Sequence, residues 1–220
     1  MPKLRFDISM SLDGFIAGPN SGPDNGLGDG GDRLHEWAYG LASWRERHGL
    51  EGGATNADAE VLEESLGTAG AVLMGRRMFG AEAGPWGDDP TEGPWGDDPP
   101  FRMPVFVLTH HPRETLTKQG GTSFTFVTEG IEAALEQARA AAGDKDVVIG
   151  GGANVAQQYI AASLLDEMQI SVVPMLLGGG IRLFDDLGTA PLELENTRVI
   201  GSPAVTHLRY RLVKRSNERS

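Results

Sequence analysis

The chain has 220 residues, 40% hydrophobic and 23% charged, with 19 Lys plus Arg against 31 Asp plus Glu for a formal net charge of −12 and no cysteine. This suits one domain over 1–220 with a sizeable core, disfavours nucleic acid as a partner, and excludes disulfides, zinc ribbons, iron–sulfur clusters and thiol catalysis. No apolar run approaches the roughly 20 residues of a membrane span, and Met1–Asp7 leads into a strand-like segment without a signal core, so no membrane partner and a cytoplasmic location are expected.

Leu4–Met10 alternates weakly and reads as a first strand, closed by the turn residues Asp13-Gly14 and Gly18-Pro19-Asn20. Pro19–Gly31, rich in Gly, Asp, Asn and Pro, predicts a mobile loop. Leu34, Trp37, Leu41 and Trp44 recur at helical spacing and predict one amphipathic helix over Asp32–Trp44. Thr55-Asn56-Ala57-Asp58 predicts an N-cap opening a helix through Ala59, Leu62 and Leu66, with Gly67 as its stop. Ala71–Met74 is a short apolar strand that meets Gly75-Arg76-Arg77 at the start of a helical turn.

The one internal repeat follows, Gly84-Pro85-Trp86-Gly87-Asp88-Asp89-Pro90 and Gly93-Pro94-Trp95-Gly96-Asp97-Asp98-Pro99. It predicts a duplicated surface loop, a flexible insertion near 80–103, whose tryptophans cover a hydrophobic edge. A ligand lid or metal loop is the other reading, but the spacing lacks the alternating oxygen donors of an EF-hand, and no metal is expected. Val105–Leu108 is a buried-type strand ending in Thr109-His110-His111, and Phe124–Val127 is another, after which Thr128 can cap a helix carrying Ile131, Leu135 and Ala138. Asp146–Ile149 runs into Gly150-Gly151-Gly152-Ala153-Asn154 and a helix to Ala162, Met168–Val173 is a strand, and Ala204–Val213 alternates with a period of two. Strands alternating with helices, then strands alone, predict an α/β fold: a mixed, mainly parallel central sheet flanked by helices with an antiparallel C-terminal edge.

Three segments could carry chemistry. In Val147–Gln158 a strand meets a helix through three glycines, and a helix N-terminus with free amides binds phosphate, although a tight turn alone would use the same residues. Gly75, Arg76 and Arg77 put two guanidiniums where an anion would favour them, the plainer alternative being a solvated pair. Thr109 and His110, with His111, could complete a phosphate pocket or be solvated loop residues. All three lie at carboxyl ends of predicted strands, where open α/β sheets bind ligands.

Met10–Gly18, Val72–Arg77, Val105–Thr109, Val148–Gly152 and Gln169–Gly180 with Leu183-Phe184 resemble the ordered blocks of the dihydrofolate reductase-like superfamily. Within it the chain is most similar to the C-terminal reductase domain of the bifunctional riboflavin-biosynthesis deaminase/reductase and its stand-alone relatives. The resemblance implies NADPH. Gly150, Gly151, Gly152, Ala153, Asn154 and Val155 would hold the pyrophosphate, with the Gly150–Gly151 peptide cis. Gly75, Arg76, Arg77, Thr109 and His110 would hold the adenosine phosphate side, and Ser9, Ile16 and Ala17 would border the nicotinamide. The absence of an acid in Thr109–Arg113 favours NADPH over NADH. In the neighbourhood of the folate reductases' first-helix carboxylate stand Asp32 and Glu36, the expected catalytic acids, which could equally be plain helix-start acids. Asp13, Trp37, Gly178 and Gly179 are expected on the substrate side, although Asp13 also suits a simple turn and Gly178–Gly180 a hinge. The expected activity is NADPH-dependent reduction of a small heterocyclic or carbonyl metabolite by a homodimer; a nucleotide-binding protein without turnover is the alternative. A hydrolase is disfavoured, since neither a Gly-x-Ser-x-Gly elbow nor a His-Glu-x-x-His helix occurs.

Overall fold

The computed structural model describes residues 2–22, 24–80, 86, 95–185, 187–188 and 191–213. Of the first copy of the tryptophan repeat it therefore describes Trp86 alone, and of the second Trp95–Pro99; the other residues of the two copies lie outside the described residues. The elements run β1 (Leu4–Ser11), β2 (Phe15–Ala17), a 3₁₀ turn (Gly31–Leu34), α1 (Glu36–Tyr39), α2 (Ala42–Arg47), α3 (Ala57–Thr68), β3 (Ala69–Gly75), α4 (Arg76–Phe79), β4 (Pro104–Leu108), β5 (Leu116–Thr117) and β6 (Ser123–Val127). They continue with α5 (Ile131–Ala142), β7 (Asp146–Gly151), α6 (Ala153–Ala161), β8 (Glu167–Val173), β9 (Ile181–Arg182), β10 (Leu194–Gly201) and β11 (Thr206–Leu212).

The main sheet has the order β10-β11-β8-β1-β7-β3-β4-β6-β5. Strands β8 to β6 in that order are parallel, while β11 and β10 at one edge and β5 at the other are antiparallel. This is the expected mixed, mainly parallel architecture, because each crossover through α5 and α6 returns a strand in the same direction. β2 and β9 form a separate two-stranded ribbon beside the carboxyl ends of the sheet.

The two sheet faces differ in chemistry. One buries Phe6, Leu73, Phe106 and Ile149 against Leu135 of α5 and Tyr159 of α6, and the Tyr159 hydroxyl donates to Ile131 O at 2.7 Å. Burial raises the Tyr159 pKa and keeps the phenol neutral. On the other face, β3, β4 and β6 offer Val72, Met74, Val107 and Phe124, which among the described residues no helix longer than α4 covers; Trp86 packs on Phe79 and Phe126, and Trp95 on Phe101. The tryptophans thus cover a hydrophobic edge, as their repeat predicts. Under α3 the same face is polar: Ser65 donates to Asp7, Arg5 donates to Ser65 O at 3.0 Å, and Glu64 accepts from Arg209 at 2.6 Å.

Four local expectations are corrected. Asp32–Trp44 is not one helix: Leu41 is extended (φ −81°, ψ 143°) and bridges to Ala54, whose N–H donates to Gly40 O at 2.8 Å. That pairing splits the segment into the 3₁₀ turn, α1 and α2, although Leu34 and Leu41 stay buried as their spacing implies. Asn56, not Thr55, caps α3 by accepting from Ala59 N at 3.0 Å, and the helix runs past Gly67 to Thr68. α5 begins at Ile131 behind Gly130 with no side-chain cap, so Thr128 does not serve. The described residues of 19–30 belong to no helix or named strand, as expected, yet they are braced internally, with Asn20 and Asn25 both donating to Asp29.

Candidate functional site

The parallel strands β1, β7, β3 and β4 end together, placing Ser11-Leu12-Asp13, Gly150–Gly152, Gly75–Arg77 and Thr109-His110 at one rim of the sheet. Gly151 and Gly152 have φ of +150° and +88°, conformations that side chains rarely adopt, and α6 starts at Gly152 with no side-chain cap. Val155 N donates to Gly152 O at 3.1 Å, so the Ala153 and Asn154 amides are the first-turn donors, with the positive dipole end, at the rim. Ala153 and Val155 are buried, whereas Gly150 and Asn154 are exposed. A Cβ on Gly75 would stand 2.9 Å from Val155 Cγ2, and one on Gly151 3.1 Å from Met78 Sδ. The glycines thus let the β3 and β7 turns approach each other. Among the described residues no peptide bond is cis, so the expected cis Gly150–Gly151 bond is trans.

The two arginines divide. Arg76 lies half-buried with its guanidinium 4.0 Å from the Trp86 ring centre, and Arg113 approaches the same ring at 4.8 Å. Arg77 is exposed. α4 is a single turn, so the dipole argument for an anion at its start is weaker than the spacing suggests. Thr109 is buried and its hydroxyl accepts from His111 N at 3.1 Å, while His110 is exposed.

On the β1 side the organising carboxylate is Asp13. It accepts from Ser11 Oγ at 2.6 Å, Leu177 N at 3.1 Å and Gly178 N at 2.7 Å, tying the end of β1 to the late glycine loop. The Ser11 hydroxyl above all, with the two amides, lowers the Asp13 pKa to about 2. Because the unfolded value is about 3.9, this carboxylate contributes stability above pH ~4 that is lost as pH falls through ~4 toward about 2. Wild type is expected to lose melting temperature across that acid window more steeply than Asp13→Asn; parallel curves would show the carboxylate unlinked to folding. Asp32 and Glu36, expected as catalytic acids, are exposed and not among Asp13's hydrogen-bonding partners. Ile16 and Ala17 are buried in β2, with the Ile16 side chain in the main core instead of along an open nicotinamide wall. Gly179 lies beside Pro19.

Ser9 is buried and accepts from Trp37 Nε1 at 3.0 Å. It belongs to a row that sequence reasoning missed. Ser9, Ser171 and His207 sit opposite one another on β1, β8 and β11. His207 Nδ1 lies 2.8 Å from Ser171 Oγ and Nε2 lies 3.0 Å from Asp58 Oδ1 at the start of α3. A carboxylate only accepts, so Nε2 carries the proton and Nδ1 accepts from Ser171. Burial lowers the His207 pKa against the opposing pull of Asp58, and the ring is neutral at pH 7. Serine, imidazole and carboxylate follow the order of a hydrolytic triad, but Ser171 is 5% and His207 2% exposed, so the serine is closed to substrate. The available signal was the polar alternation Arg5, Asp7, Ser9, Ser11 of β1, matched by His207 and Arg209 on one face of β11.

Residues 2–206 match the family described as the RibD C-terminal domain. The uncharacterized protein YwjB of Bacillus subtilis is 32% identical over 84 residues, 38% of this chain and 48% of that protein, so the match spans about half the length of this curated relative. Among solved structures, a putative riboflavin biosynthesis protein from Shewanella sp. PV-4 superposes with a TM-score of 0.60 at 22% identity, covering 96% of this chain and 99% of that one. A dihydrofolate reductase from Enterococcus faecalis, complexed with NADP(H), superposes with a TM-score of 0.50 at 16% identity, covering 96% and 97%. These likenesses establish a dihydrofolate reductase-like fold. Among the described residues no helix is long and apolar enough to cross a membrane, and no cluster of three or more His, Asp or Glu could hold a metal ion.

Proposed function

This chain belongs to the RibD C-terminal domain family, and from that premise we propose that it is a reductase using NADPH to reduce a small pyrimidine- or pterin-like ring or a carbonyl metabolite, in the manner of 5-amino-6-(5-phosphoribosylamino)uracil reductase. The supporting observation is the uncapped start of α6 behind Gly150–Gly152, with Arg77 and His110 following the neighbouring parallel strands β3 and β4 at the same rim. The donor set fits a pyrosphosphate-bearing cofactor: backbone amides, two positive-φ glycines and an exposed guanidinium, with no acid in Thr109–Arg113.

In this reading the first-turn amides of α6 bind the pyrophosphate, and Arg77 with His110 engages the adenosine-side phosphate. Bound NADPH supplies a hydride. On the β1 side the buried Ser9 holds the half-buried Trp37, whose indole borders the site in this reading. Asp13 stays ionised at neutral pH and anchors the 178–180 loop, so its carboxylate orients the substrate side and holds no transferable proton. The protein's part is orientation and exclusion of water. Binding without turnover is the second reading, favoured by the exposed positions of Asp32 and Glu36, and steady NADPH oxidation with a uracil- or pterin-type acceptor separates the two.

The binding test is a thermal shift. NADPH at about 100 times its Kd stabilises by about 2.7 kcal/mol, which for a chain of this size is a rise of roughly 5–11 °C, and NADH is expected to give less. An unmoved melting temperature with saturating NADPH removes the reading.

A further inference from the structure

We infer that His207 is a positioning residue for the cofactor site, acting through Trp37. This rests on the proposed NADPH reading. α1, which carries Trp37, is a single four-residue turn, so its own hydrogen bonds do little to fix the side chain. External contacts set the indole instead. Its ring meets the His207 ring edge-on, with centroids 5.0 Å apart and planes at 72°, and its N–H reaches Ser9 Oγ at 3.0 Å. Leu34, Val173 and Val205 form the apolar plug around it, together with Leu177, whose N–H donates to Asp13.

His207 itself is held at both ring nitrogens, by Asp58 from α3 and by Ser171 from β8. A buried carboxylate and imidazole demand desolvation that an apolar pair of similar volume would avoid. What this arrangement provides is a ring with one fixed orientation. The connection then runs Asp58, His207, Trp37, Ser9, crossing from α3 and the far strand β11 to β1 two residues before Ser11, whose hydroxyl donates to Asp13. His207 touches neither the glycine turn nor the arginines, so its effect on the cofactor passes through the indole.

The test combines a ligand-free and a ligand-bound measurement on the full chain. The Trp37 indole N–H resonance is identified by its loss in Trp37→Phe. In His207→Gln, where an amide can still donate to Asp58, this resonance is expected to shift and its solvent exchange to accelerate about tenfold. NADPH affinity, measured by calorimetry, is expected to fall about fivefold in His207→Gln and similarly in Trp37→Phe, with no further fall in the double variant. A resonance that does not move, or single-variant losses that multiply in the double variant, overturns the inference and leaves His207 a structural pin. Should His207→Gln fail to fold, Asp58→Asn keeps the ring and frees its orientation, and the same cycle decides. Wild type that binds no NADPH while the indole responds as expected removes the proposed function and leaves the positioning contact standing.

Discussion

Gly180→Ala is expected to lower stability by about 3 kcal/mol or more, and the melting temperature by roughly 6–12 °C. Two effects add. Gly180 has φ +123°, and a Cβ built there would stand 2.0 Å from Ala17 O and 2.7 Å from Gly18 C. Backbone cannot swing aside as a flexible side chain can, so the clash must open the contact between the 178–180 loop and β2. The same close approach recurs nearby: a Cβ on Gly18 would meet Asp29 O at 2.0 Å, and one on Gly28 would meet Gly18 O at 2.2 Å. Three backbone segments thus interlock through glycines. Gly201→Ala is the control, because that position has no atom within 4 Å and no positive φ, and it should melt within about a degree of wild type. Equal melting of both variants would show that the interlock does not exist in solution.

Arg77→Ala is expected to weaken NADPH by roughly ten- to a hundredfold while leaving NADH nearly unchanged. The size follows from removing one charge-assisted hydrogen bond, about 1.5–3 kcal/mol, at tenfold per 1.4 kcal/mol. Arg76→Ala should discriminate less sharply and also lower the melting temperature, because its guanidinium stacks on Trp86 and supports the packing there. Competitive titration of both cofactors against both variants reads these differences. Equal weakening of NADPH and NADH by Arg77→Ala would place the extra phosphate elsewhere.

The sheet was legible because its inner strands are short apolar runs and because α5 keeps a clean apolar stripe through Ala134, Leu135 and Ala138. The Gly150–Gly152 turn was legible for the same local reason. Asp32–Trp44 misled because its spacing is helical while the break at Leu41 comes from pairing with Ala54, a partner thirteen residues away. β2 and β9 were missed because two or three residues carry no period. Within the site, the clamp that Asp13 makes on the late glycine loop was not legible, since its amide partners at 177 and 178 lie more than 160 residues away. Asp58, Ser171 and His207 were missed for a similar reason. Each is unremarkable in its own segment, and only the alignment of β1, β8 and β11 puts them together.

The contrast between the two sheet faces bears on how this chain can diverge. Beneath α5 and α6 an aliphatic side chain can be exchanged singly for another of comparable volume at modest loss. Beneath α3 the pairs Asp58 with His207, Glu64 with Arg209 and Asp7 with Ser65 leave a stranded donor or acceptor whenever one member changes alone. Drift in that layer therefore proceeds by joint replacement, and homologues are expected to differ there in matched sets or hardly at all.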